Sequence, residues 1–176
     1  IIETRKFNFP QWYRTHTDIY GQRTEPTLQH VAFIESWAKR TWLVPPQMQL
    51  YVDYKIKVTE ILTNYTSIEE IHSYSIDESF LDITESLNFF YPDIRNRYEQ
   101  MNLITLDLQR EILDKLGLYV TVGMGDNPLL AKLAMDNYAK HNQNMRALIR
   151  YEDVPSKLWT LPKMTDFWGI GKRTEK

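Results

Sequence analysis

The chain of 176 residues has no cysteine, which excludes disulfides and thiolate chemistry and fits a reducing compartment. No stretch approaches the about 20 consecutive apolar residues that a membrane-spanning helix needs, and no secretory signal pattern opens it. A cytoplasmic protein without a membrane partner is therefore expected. Internal repeats and low-complexity segments are absent. The four histidines, His16, His30, His72 and His141, lack metal-ligand spacing and receive no role. There is no initiator Met, and the closing "GIGKRTEK" reads as the start of a helix, so a segment of a longer protein is expected.

What is present resembles an ordinary soluble protein: 43% hydrophobic, 25% charged and 13% aromatic residues. The length suits one good-sized domain, or one with a small appendage. Net charge is −2, which alone argues against a nucleic-acid binder, but the distribution is uneven. Residues 1–66 hold eight Lys/Arg against six Asp/Glu, residues 67–114 three against eleven, and residues 115–176 ten against six. An acidic centre between basic ends suits a site that gathers cations beside a surface that meets phosphates; unevenly solvated faces would give the same count.

Local patterns predict alternating elements. A short helix is expected at 28–40, with Val31, Ile34 and Ala38 on one side, then a brief strand at 41–44 stopped by Pro45 and Pro46. Tyr51, Tyr54, Val58, Ile61, Leu62 and Tyr65 fall at helical spacing. Residues 73–83 are strand-like, and 85–93 end at a proline turn. A long helix is expected over 96–116, with Ile104, Leu108, Ile112 and Leu116 as its stripe and Gly117 as its stop. "LYVTVGMG" (118–125) reads as a buried strand. Asn127 and Pro128 then open another helix, and 147–154 read as a strand. The β-α-β-α-β pattern indicates an α+β domain with helices packed on a sheet.

The stretch "SYSIDESFLDI" (73–83) puts Asp77 beside Glu78 in an apolar run. In a regular strand neighbours point to opposite faces, so joint action needs a tight hairpin or a bulge. Two carboxylates near a core repel each other, and a hard divalent cation such as Mg²⁺ relieves that repulsion. The alternative is structural: Asp77 caps a turn and Glu78 is solvated. Asp82 is expected to hydrogen-bond the turn beyond the strand, and Tyr74, Ile76, Phe80 and Leu81 are expected in the core.

The surroundings of the pair add a resemblance. "YSIDESFLDIT" resembles the central palm motif of the Y-family, or translesion, DNA polymerases. "VTVGMGDNPLLAKLAMDNYAK" is similar to their next motif, and "LWTLPKMTDFWGIGKRTEK" to the passage into their thumb. The likeness is nearer to the UmuC-like bacterial branch than to DinB. It implies a palm-type βαββαβ (ferredoxin-like) sheet with packed helices and the start of a helical thumb. The domains would be 1–40 (leading from the fingers), 41–154 (palm) and 155–176 (a truncated helix-hairpin-helix).

The resemblance gives Asp77 and Glu78 the role of metal-binding catalytic residues, with two Mg²⁺ ions serving phosphoryl transfer. A further acidic ligand would come from an upstream strand that this sequence does not contain, so the segment alone is expected to be inactive. Lys140 matches a lysine that reaches the nucleotide triphosphate, although eight residues separate it from Lys132 where seven are usual. On a continuous helix one residue turns a side chain by about 100°. Gly169, Gly171, Lys172 and Arg173 resemble a turn that meets DNA phosphates through the backbone.

Implied partners are primer–template DNA, deoxynucleoside triphosphates and a sliding clamp bound outside this segment, in lesion bypass and the SOS response. Two other readings remain open: a nucleotide cyclase-like palm enzyme, and a non-catalytic DNA-binding or regulatory subunit with the same fold. Arg5, Lys6, Phe7, Trp12, Tyr13 and Arg14 are expected to pack locally or be solvated rather than form a nucleic-acid patch. A missing central strand would expose sheet edges, so a dimer is expected.

Overall fold

The computed structural model describes residues 5–6 and 28–175. The sequence readings on Phe7, Trp12, Tyr13, Arg14 and His16 lie outside the described residues, as do the side chains of Arg5, Lys6, Val31 and Ile34. The chain divides into two compact units, Ile1–Leu50 and Tyr51–Lys176. In the first, β1 (Arg5–Lys6) pairs antiparallel with β2 (Trp42–Leu43), and α1 spans Leu28–Arg40 with Ala38 buried.

The second unit carries the motifs. Helix α2 (Met48–Leu62), which lies in this unit from Tyr51 onward, leads into a β-hairpin of β3 (Ile71–Ser73) and β4 (Ser79–Leu81). A single-turn helix α3 (Leu87–Phe90) and the long α4 (Arg97–Leu116) follow. Then come β5 (Val122–Gly125), α5 (Pro128–Asn137) and β6 (Arg146–Ile149), with β5 and β6 parallel. This is an α+β fold, as the sequence pattern indicates. Among the described residues its strands form two-stranded ladders. β4 and β5 do not pair; between them lies a cleft of about 460 Å³, lined by Phe80, Leu81, Ile104, Leu108, Val122 and Met124 among others.

The helices form where the sequence provides both a stripe and a cap. Asn96 Oδ1 accepts from the N–H groups of Tyr98 (3.0 Å) and Glu99 (3.3 Å), satisfying donors that a helix start leaves open. Ile104, Leu108 and Ile112 are buried along α4, and Gly117, left-handed at φ 68°, closes it with an N–H bond to the Leu113 carbonyl. Asn127 Oδ1 caps α5 through Leu130 N–H at 2.9 Å, with Pro128 in the first turn.

Two apolar clusters result. One joins Ile61, Leu62 and Tyr65 to the α4 stripe and Met124; the other joins Leu130, Leu133 and Ala134 to Ile149 and Leu158. At Gly123 a Cβ would lie 1.9 Å from the Ala131 carbonyl oxygen, so α5 packs directly on the β5 backbone.

Several local expectations need correction. Residues 73–83 are not one strand: Tyr74 to Glu78 form the hairpin loop, and Tyr74 and Ile76 are exposed rather than core. The strand expected over 118–125 begins at Val122, and Tyr119 is 75% exposed. Strand β6 ends at Ile149, because residues 151–153 coil into a 3₁₀ turn held by Arg150 and Asp153. The closing residues make one turn, with Thr174 and Glu175 N–H donating to Gly171 O, and no helix among those described.

Candidate active site

The hairpin loop carries both acids. Ser73 pairs with Ser79, so residues 74–78 span five positions, and the Glu78 carbonyl draws them together. It accepts from Tyr74 N–H and Ser75 N–H, each at 3.1 Å, and from Lys55 Nζ on α2 at 3.0 Å. Lys55 Nζ also donates to Ser79 Oγ at 2.5 Å. Burial lowers the Lys55 pKa, and the negative charge of Asp77 opposes that shift. The bend that joint action required is therefore present, and Asp77 and Glu78 lie in one turn.

The two carboxylates have different partners. Asp77 Oδ1 accepts from Ser75 Oγ at 2.7 Å and its side chain is exposed. Glu78 Oε1 accepts from Lys132 Nζ at 2.7 Å. Lys132 lies on α5 and is buried, at 8% exposure, where a solvated lysine is the ordinary expectation. It also pairs with Asp136 Oδ2 at 3.3 Å, while Asp136 Oδ1 accepts from Lys140 Nζ at 2.6 Å.

Four charges thus run in sequence: Glu78, Lys132, Asp136, Lys140. Burial works to lower the Lys132 pKa, but its bonds to Glu78 and Asp136 prevail and raise it. Burial works to raise the Asp136 carboxyl, and the two lysines hold it below its ordinary value.

The position of Lys140 follows from how α5 ends. The helix stops at Asn137, Tyr138 leaves helical geometry (φ −129°, ψ −52°), and Ala139–His141 form a 3₁₀ turn. The eight-residue interval from Lys132 is therefore not eight steps of one helix, and the rotation argument against Lys140 does not apply. Its side chain is 47% exposed.

Trp168 connects the 169–171 turn to the hairpin. Its ring lies edge-on to Tyr74 (5.5 Å) and tilted against Phe80 (6.1 Å). Gly169 and Gly171 line an open hollow with Asp136, Asn137 and Phe167, while Lys172 and Arg173 are exposed. Asp82 takes Thr84 N–H at 2.9 Å and so serves the turn beyond β4; hydrogen bonding with the Thr84 side chain, and then with its backbone, lowers the Asp82 pKa.

As a cation site the hairpin is partial. Among the described residues no group of three or more His, Cys, Asp or Glu side chains converges on one point. Two carboxylates on one loop are the donor type that suits Mg²⁺, which is commonly held by one or two carboxylates with water and substrate phosphate completing its shell. Sequence reasoning missed Lys55, Lys132, Asp136 and Trp168. The one local signal was the Lys132–Asp136 pair at helical i, i+4 spacing.

A sequence model described as the impB/mucB/samB family matches residues 27–136. The chain is similar to a "Putative UV-damage repair protein UvrX" of Bacillus subtilis (strain 168), 36% identical over 78% of this chain and 30% of the relative. It is 38% identical to "DNA polymerase IV 2" of the same organism, over 73% of this chain and 28% of the relative. The chain therefore spans about 30% of the length of these curated relatives.

Among solved structures, an "Insertion ternary complex of Dbh DNA polymerase" has a TM-score of 0.65 at 26% identity, covering 85% of this chain and 40% of that one. A Y-family DNA polymerase chimera has 0.59 at 29% identity, covering 73% and 33%. Among the described residues no helix is long and apolar enough to cross a membrane. With its family match over residues 27–136 and its Y-family structural neighbours, the chain belongs to the impB/mucB/samB family of Y-family polymerases.

Proposed function

We propose that this chain is the palm, with the start of the thumb, of a translesion DNA polymerase of the UmuC-like branch that extends primers in DNA repair and the SOS response. The observation that carries the reading is the hairpin loop at 74–78, which sets Asp77 and Glu78 in one turn. The domain division would be 1–40, 41–154 and 155–176, in a cytoplasmic protein.

Asp77 and Glu78 hold divalent cations. When bound, two Mg²⁺ ions would activate the primer hydroxyl and neutralise the leaving pyrophosphate. A third ligand would come from a strand outside this sequence; the cleft between β4 and β5 leaves room for one. Lys55 fixes the loop and Lys132 orients Glu78. Lys140 serves as a point charge for the triphosphate. Gly169, Gly171, Lys172 and Arg173 meet primer–template phosphates, with Trp168 holding their turn against the hairpin. The sliding clamp binds elsewhere in the whole protein. By itself the 176-residue chain is inert and pairs with a second copy through exposed strand edges.

The test is primer extension past a damaged template by the full-length protein. Asp77→Ala and Glu78→Ala should each lower the rate by about a thousandfold or more, since metal-held charge supplies several kcal/mol at about 1.4 kcal/mol per decade. Undiminished extension by the variants would refute the site, and no extension by the wild type would favour a non-catalytic subunit.

A further inference from the structure

Lys132 is the one strongly buried charged residue among those described, and its two partners differ in what they serve. Asp136 is its neighbour one turn along α5, whereas Glu78 reaches it from the hairpin 54 positions earlier in the chain. A lysine that only stabilised α5 would need Asp136 alone. The shorter bond, 2.7 Å against 3.3 Å, goes to Glu78.

We infer that Lys132 is the resident counter-ion of Glu78: it positions the carboxylate and competes with a divalent cation for it. This rests on the reading of Glu78 as a cation ligand. An ammonium on Oε1 occupies a lone-pair direction that a metal would use, and its charge repels the incoming ion.

Asp136 gives the displaced ammonium a place to stay. Because Lys132 is buried, it needs a carboxylate at all times, and a second one already lies within reach. Lys140 shares that second carboxylate through its other oxygen. An anion that draws Lys140 away leaves Asp136 to Lys132 and so loosens the hold on Glu78. Polyphosphate and cation would then help each other to bind, with the coupling carried by four named side chains.

The experiment is Mn²⁺ binding to the 176-residue chain, followed by loss of the free-ion EPR signal, in wild type, Lys132→Gln, Lys140→Met and Glu78→Gln. Lys132→Gln should bind Mn²⁺ about tenfold more tightly, the equivalent of about one pKa unit of charge interaction. Lys140→Met removes the same charge farther along and should tighten binding by about twofold or less. Glu78→Gln should abolish binding.

Equal or weaker binding by Lys132→Gln, or equal tightening by the two lysine variants, overturns the counter-ion role while leaving Glu78 as ligand. Binding by Glu78→Gln equal to wild type overturns the ligand reading itself, and no binding by any variant overturns both. Should Lys132→Gln not fold, the wild-type chain still decides: the Lys132 ammonium ¹⁵N resonance should move as Mg²⁺ is added. A fixed resonance at saturating Mg²⁺ would contradict the inference.

Discussion

Two Gly-x-Gly triplets, 123–125 and 169–171, occupy opposite kinds of surroundings. At Gly123 and Gly125 a Cβ would meet backbone and side-chain atoms of α5 at 1.9 to 2.8 Å, whereas at Gly169 and Gly171 it would meet nothing within 4 Å. The first triplet exists so that a helix can lie on a strand, and that contact sets where α5 presents Lys132. In the second, Gly169 takes a left-handed backbone (φ 86°) and the turn stays open beside Trp168. The same spacing serves packing in one place and an accessible backbone in the other.

Substitutions sharpen this contrast. Gly123→Ala should cost about 3 kcal/mol in a denaturant titration, because both crowded neighbours are backbone or α5 itself. Asn127→Ala, which removes the α5 cap, should cost about 1 kcal/mol by the same measurement. Gly169→Ala should cost about 1 kcal/mol, from backbone strain alone.

A pH titration probes the packed region too. Asp153, beyond β6, is held well below the usual carboxylate range by hydrogen bonds from Arg150 and Lys157. A depressed carboxylate adds stability that is complete above its unfolded value of about 3.9 and is lost as pH falls through the folded value. Thermal melts should therefore lose stability below about pH 4 in wild type and less so in Asp153→Asn. The smallest effect belongs to Gly171→Ala, within about 0.5 kcal/mol of wild type. A cost there as large as at Gly123 would erase the distinction between the triplets.

The legible parts of the fold were those governed by neighbours in sequence. The Asn127 cap, the Gly117 stop and the α4 stripe each depend on residues within about one or two helical turns. The hairpin was less legible, since an apolar run with two acids has no turn glycine or proline to mark its bend. The burial of Lys132 could not be read locally, because it depends on Glu78, 54 positions away. Nor could the end of α5, where Tyr138 leaves helical geometry without a glycine or proline. The motif resemblance singled out Asp77, Glu78 and Lys140 but gave no reason for the link between Glu78 and Lys140, which runs through Lys132 and Asp136.

The hairpin is the proposed place where a divalent cation binds, and paramagnetic mapping tests that most directly. With substoichiometric Mn²⁺, backbone NMR signals of Ser73 to Ser79 and the side-chain signals of Lys55 and Lys132 should broaden before any others. Broadening centred instead on Glu69–Glu70 or Glu152–Asp153, with the hairpin unaffected, would contradict it.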